Sequence, residues 1–507
     1  MTEPAWRRLF LRCLLVPLVV TAPLAWLALG SDHRFNVYWH GATVLRDPAA
    51  LVTENLRTVP MYLDFGNFRP LGRMLEWSVD LSAYLTVVLL HLPAQVGLRL
   101  LAAVAAAVLT AAAVLLAEAV TARGRMFATP PARPLALLPF AIGCCLAAAG
   151  GLSSTVLFGG LYFLSAAVVL AVAAWVCREP RPVPLVLLAG AALAAFNEMG
   201  AVALPLATAA LLIRLRVVLG LAGRDVLRLM RPAVLLWAGF LPVFLPVRFL
   251  IHRACSAGDC YRNSDVAFGP DVATALANRL TAWLPPLQWG QALRGIDRPG
   301  ATVVVAAVLV FGLLAARLLA ELPGLPKPDR RQAAGLAAAG LAVLVLGALL
   351  GSLNTQVQAV AANGRWGIGW RDSGLTAAGA ALGLTGFLGL AGRVAVARLA
   401  LAGFALAAAG SAATNHAFAG HANQTPSALV TNAIATEIVQ FDDTPAGDAR
   451  RCALRDRYAE VFPAGDYSRF AAGELPGTYS SVDRMTVTSD MATEQMYGRP
   501  FCRNPRR

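Results

Sequence analysis

A single carboxylate, Asp32, stands two or three residues beyond the first long apolar run of this 507-residue chain, within the segment SDHRFNVYWHG at 31–41. A helix end at that position would hold the carboxylate near a membrane surface, suited to a general base acting on a hydroxyl at headgroup depth. The plainer reading is a helix-end carboxylate paired with His33 or Arg34. Further on, Arg69 precedes Pro70 and Leu71. Proline restricts the residue before it and can open the helix after it, so the Arg69 guanidinium is placed at a defined bend. There it either recognises a phosphate bidentately or anchors an interfacial helix, Met74 to Leu92, to anionic headgroups.

Asn197 and Glu198 interrupt the apolar stretch AAFNEMGAVALPLA. Charge inside or beside an apolar run costs a few kcal/mol unless it faces a cavity or a partner, which makes Glu198 a binding-site candidate. Its alternative is an outer loop between two helices. Arg365 and Arg371 lie beside Trp366 and Trp370, just before another apolar run. The tryptophans suit an interfacial belt, and the two guanidiniums suit a phosphate or sugar-phosphate.

The elements that must position these residues are helices in lipid. Hydrophobic residues make up 57% of the chain and charged ones 14%, which excludes a set of soluble domains of ordinary composition. Eleven apolar runs are long enough to cross or nearly cross a bilayer, at about 9–29, 94–120, 135–150, 155–176, 183–197, 199–213, 232–250, 301–319, 333–351, 374–392 and 395–412. The pair around Asn197 is short enough to be one bent helix. The first run is too long, and lacks too clearly a small-residue cleavage site, for a signal peptide. Arginine collects in alternate gaps, at Arg7, Arg8 and Arg12, at Arg123, Arg125 and Arg133, and at Arg214, Arg216, Arg224, Arg228 and Arg231. Basic residues in short loops stay on the cytoplasmic side, so the amino terminus is expected inside and the carboxy terminus outside. Residues 1–412 then form the membrane domain, with outer segments at 30–93, 251–300 and 351–373, and residues 413–507 form a small, loop-rich outer tail with one short helix.

The formal charge of +14 does not mark a nucleic-acid binder: Lys327 is the one lysine, and no basic stripe is interleaved with stacking aromatics. Four of the eight cysteines fall in segments expected outside, where an even number suggests two disulfides, Cys255 with Cys260 and Cys452 with Cys502. Zinc is the alternative, but neither a Cys-x-x-Cys nor a histidine pair accompanies them, so no metal ligands are assigned. Phosphate-binding loops, His-Glu-x-x-His and Gly-x-Ser-x-Gly motifs are missing from the sequence.

In order, these features resemble the C-type (GT-C fold) integral-membrane glycosyltransferases of bacteria. The resemblance rests on Arg69-Pro70-Leu71 before a surface helix, Asn197-Glu198 followed by Pro205-Leu206 in a later span, and Arg365-Trp366 before a late helix. It implies an all-α polytopic fold, a polyprenyl-phosphate-linked sugar as donor, and a cell-envelope glycan, lipid or protein as acceptor on the outer face of the plasma membrane. Asp32 would be the catalytic base, with Arg69, Arg365 or Arg371 neutralising the leaving phosphate. Many members carry paired acids in the first outer loop, whereas Asp32 is followed by His33, which leaves use of a divalent metal open. The tail shows no tetratricopeptide pattern, so nothing about the acceptor follows from it. Two other classes compete: a transporter or flippase of lipid-linked precursors, which should show internal repeats and broken, polar mid-membrane helices, and a catalytically silent scaffold.

Overall fold

The computed structural model describes residues 3–178, 182–256, 266–462 and 473–503. Within them the regular structure is helical, and one isolated antiparallel bridge joins Val266 to Asn354. Among the described residues, eight helices are long and apolar enough to cross a bilayer: Ala94–Thr121, Gly159–Val176, Glu198–Val218, Arg231–Ser256, Ala301–Gly324, Arg330–Ser352, Ser373–Ala391 and Val394–Ala422. The chain is therefore a multi-pass membrane protein.

The other three expected spans take different forms. The first is the helix Glu3–Thr21, which starts earlier than its apolar run and carries Arg8 and Arg12, both paired with Glu321, at 3.2 and 3.0 Å. It also ends at Thr21, so Asp32 does not sit a few residues past a helix end as the run suggested. The run at 135–150 is helical over Arg133–Gly143 and then continues as turns. The run at 183–197 is the helix Val183–Ala194, and the following helix is separate rather than a bent continuation.

The chain folds as two compact units, each assembled from segments distant in sequence. The first comprises residues 1–23, 65–71 and 102–418, and the second comprises 24–64, 72–101 and 419–507. In the first, the helices Arg330–Ser352 and Ser373–Ala391 pack backbone to backbone. A Cβ added to Gly340 would lie 2.0 Å from the Gly383 nitrogen, and one on Gly379 2.3 Å from the Leu344 nitrogen. Without a hydrophobic force between helices in lipid, such small-residue seams let dispersion and close approach hold them together.

The second unit corrects the picture of a loop-rich tail. Beyond Ala422 the chain forms the helices Pro426–Val439, Pro445–Val461 and Ser481–Tyr497. Thr425, Thr444 and Ser480 cap their amino ends through side-chain oxygens. Cys452 and Cys502 are joined by a disulfide, and nearby the buried Arg451 donates to the Phe501 carbonyl at 2.6 Å. Cys255 is also disulfide-bonded, while its expected partner Cys260 lies outside the described residues. The last tail helix packs along the helix His33–Arg46. The stretch expected as an interfacial helix, Met74 to Leu92, is helical over Pro70–Leu90 and is opened by Pro70.

Candidate functional site

In the first unit, Asn197 ends one helix run and starts the next. Its backbone is extended, its side-chain oxygen accepts from the Met199 amide at 3.0 Å, and its Nδ2 donates to the Ser165 hydroxyl at 2.8 Å. The cap therefore fixes the break and presents Glu198 in the first helical turn. Glu198 opens onto a cavity of about 60 Å³, lined also by Tyr162, Met199, Leu350, Trp370, Arg371 and Asp372. The charges acting on the Glu198 carboxylate are those of Arg69, Arg371 and Arg248, three guanidiniums against one carboxylate. Arg371 lies 5.7 Å from the Tyr162 ring centroid and 5.6 Å from that of Trp370.

Arg371 is held by its neighbours in sequence. Asp372 lies at the amino end of the Ser373–Ala391 helix and receives two hydrogen bonds from Arg279, at 2.9 and 2.7 Å, with both side chains 1% exposed. Arg279 also donates to the Ile368 carbonyl, and Ser154 donates to the Trp370 carbonyl at 2.9 Å. Gly351 makes room for this pair, since a Cβ there would meet an Asp372 oxygen at 2.6 Å. Three of the residues singled out in the sequence, Asn197, Glu198 and Arg371, thus line this pocket, and the charge of a fourth, Arg69, acts on Glu198. Arg365 does not line it: it is exposed, and its carbonyl accepts from Asn278 at 2.9 Å.

Asp32 belongs to the second unit, at the amino end of the His33–Arg46 helix. It is preceded by Ser31 at φ 50°, left-handed backbone that is costly for a residue with a side chain and is retained only where surrounding structure enforces it. Polar side chains fill this interior. His33, Arg34, Asn36 and His40 are buried on the first helix, and Arg73, Glu76 and Asp80 on Pro70–Leu90. His40 Nδ1 is 2.7 Å from Asp80 and His33 Nδ1 is 3.8 Å from it. Burial pushes His40 down to about 4 and Asp80 up to about 6, so near neutral pH a neutral imidazole donates to a carboxylate. The His40 ring stacks on Trp77 at 4.2 Å.

The tail contributes Glu474 and Arg484. Arg484 binds Glu474 at 2.7 Å, the Tyr62 hydroxyl donates to Glu474, and Arg73 lies 3.7 Å from it. Burial pushes the Asp32 carboxyl above the usual carboxylate range, with Arg484 the strongest charge opposing that rise and Glu76 reinforcing it. Burial likewise raises Glu474 to about 7.

Searches against protein-family models, curated proteins and solved structures returned no match. The chemistry therefore has to be argued from the two sites themselves. One is a pocket that sets the Arg371 guanidinium beside Glu198 and Asp372 between aromatic and apolar walls, where a guanidinium is placed to meet an anion carried on an apolar body. The other is a buried carboxylate with a raised proton affinity among imidazoles and guanidiniums, suited to proton transfer. Among the described residues no group of three or more histidine, cysteine or acidic side chains is arranged to hold a metal ion.

Several of these residues are not evident from the sequence motifs. Arg248 interrupts an apolar run, and the cost argument that marked Glu198 marks it equally. Arg73, Glu76, Trp77 and Asp80 recur at helical spacing and read as the wet face of an interfacial helix. In the structure that face is buried, while Leu89 and Leu90 are 69% and 62% exposed.

Proposed function

We propose that this chain is a membrane glycosyltransferase that moves a sugar from a polyprenyl-phosphate-linked donor to a cell-envelope acceptor on the outer face of the plasma membrane. The observation that carries this reading is the pocket in which Arg371 and Glu198 lie between Tyr162, Trp370, Met199 and Leu350, with the charges of Arg69 and Arg248 also acting on Glu198. Guanidiniums match the geometry of a phosphate, and apolar and aromatic walls match an isoprenoid chain or a sugar face. In this reading an acceptor hydroxyl forms a new bond to the anomeric carbon as the bond to phosphate oxygen breaks, with inversion. Asp32 takes the hydroxyl proton, and the phosphate leaves with the bonding electron pair as the guanidiniums neutralise its charge.

Donor binding tests the reading. Arg371→Ala and Arg69→Ala should each weaken retention of a radiolabelled polyprenyl-phosphate sugar by purified protein roughly 10- to 100-fold, as expected for about 1.5–3 kcal/mol per charge-assisted hydrogen bond. Parent protein that retains none of the polyprenyl-phosphate sugars supplied would remove the glycosyltransferase and leave the transporter or scaffold.

The arginine pattern supports a carboxy terminus outside the cell membrane and an amino terminus in the cytoplasm. An alkaline phosphatase fused after Arg507 should be active in cells. A fusion active only when its reporter works in the cytoplasm would invert this topology.

A further inference from the structure

We propose that the carboxy-terminal segment is part of the reaction centre, with Arg484 acting as a positioning residue that favours the Asp32 carboxylate and Glu474 holding Arg484 in place while competing with Asp32 for its charge. This rests on Asp32 being the base in the function proposed above. Arg484 is 3% exposed, and a guanidinium withdrawn from water to that extent is costly unless opposite charge and hydrogen bonds compensate it. Glu474 supplies part of that compensation, but it is shared with Arg73, which lies 3.8 Å from the Tyr62 ring centroid and donates to Asn55 at 3.2 Å. Arg73 has Glu76 as a second carboxylate acting on it, and Asp32 is the further carboxylate on which Arg484 acts.

Arg484 also lies 5.4 Å from the ring of Phe35, whose amide donates to the Asp32 carbonyl at 3.2 Å. The groups facing Asp32 are His33 and Arg34 from its own helix, Glu76 from Pro70–Leu90, Arg484 from Ser481–Tyr497, and Glu474. Two of the five come from the tail. The tail itself is fixed by the disulfide and by the hydrogen bond from Tyr84 to Gln495, at 2.9 Å. An appendage that merely held a partner would have no reason to place a charged pair in this interior.

The test reads Asp32 directly. The purified full-length chain is treated with dicyclohexylcarbodiimide, which reacts with protonated carboxyls, and Asp32 modification is followed by mass spectrometry across pH. In Arg484→Met the midpoint should move up by about one pH unit or more, because a cation favouring the charged form is gone. Arg484→Lys should hold the parent midpoint, and Glu474→Gln should move it down, because a neighbouring negative charge is removed.

Opposite shifts separate an electrostatic role from loosened packing, which would move both variants the same way. Midpoints that stay fixed, or move together, overturn the proposal. If Arg484→Met does not fold, Arg484→Lys and Glu474→Gln carry the comparison. In turnover assays the acid limb of the pH–rate profile should follow the labelling midpoints. A parent that shows these midpoints but turns over no lipid-linked sugar would remove the glycosyltransferase reading and leave the charge coupling standing.

Discussion

Asp32→Asn should reduce sugar transfer by roughly 10²- to 10⁴-fold, the usual contribution of a positioned general base, while the protein remains inserted and folded. The amide keeps the size of the carboxylate and much of its hydrogen bonding but cannot accept the proton. Burial raises the Asp32 carboxyl, so the parent rate should fall as pH drops through that raised value and level off above it, where the base is ionised. Initial rates of the two proteins with a labelled polyprenyl-phosphate sugar, measured across pH, decide this. An Asp32→Asn rate equal to that of the parent would make Asp32 structural and move the search for the base to Glu76 and Glu474.

The largest expected effect on stability belongs to the pair in the other unit. Asp372→Ala leaves the Arg279 guanidinium buried at 1% exposure without its carboxylate. Breaking a buried pair from one side costs about 3–5 kcal/mol, because an uncompensated charge stays in the interior. The thermal midpoint in detergent should fall accordingly, and donor affinity should fall with it, because the same pair fixes the segment that carries Arg371. Replacing both residues, Arg279→Met with Asp372→Leu, should destabilise less than Asp372→Ala alone, since no charge is stranded. A midpoint that Asp372→Ala leaves unchanged would contradict this account.

Much of the membrane architecture was legible because hydropathy and helix length are set by the same bilayer thickness. The run at 135–150 was misread because backbone turns at 144–150 are buried in protein, where an apolar sequence need not be helical. Glu198 and Arg371 could be found because charge in an apolar context is conspicuous. Glu76, Asp80, Glu474 and Arg484 could not, since their types are ordinary for an interfacial helix and a polar tail. Their burial follows from tertiary packing alone, which brings together helices more than 400 residues apart in sequence, as the Tyr84–Gln495 hydrogen bond does.

That separation has a consequence for synthesis. A unit assembled from residues 24–64, 72–101 and 419–507 cannot close while its last segment is still being made. During that interval the buried charges of the early helices lack Arg484 and Glu474, and closing so long a loop is slow and entropically costly. A ribosome that stops short of the final helix therefore releases a chain already threaded through the lipid but with its Asp32 region unfinished. Competence would be conferred at the end of translation, so that incomplete products remain inert in the membrane.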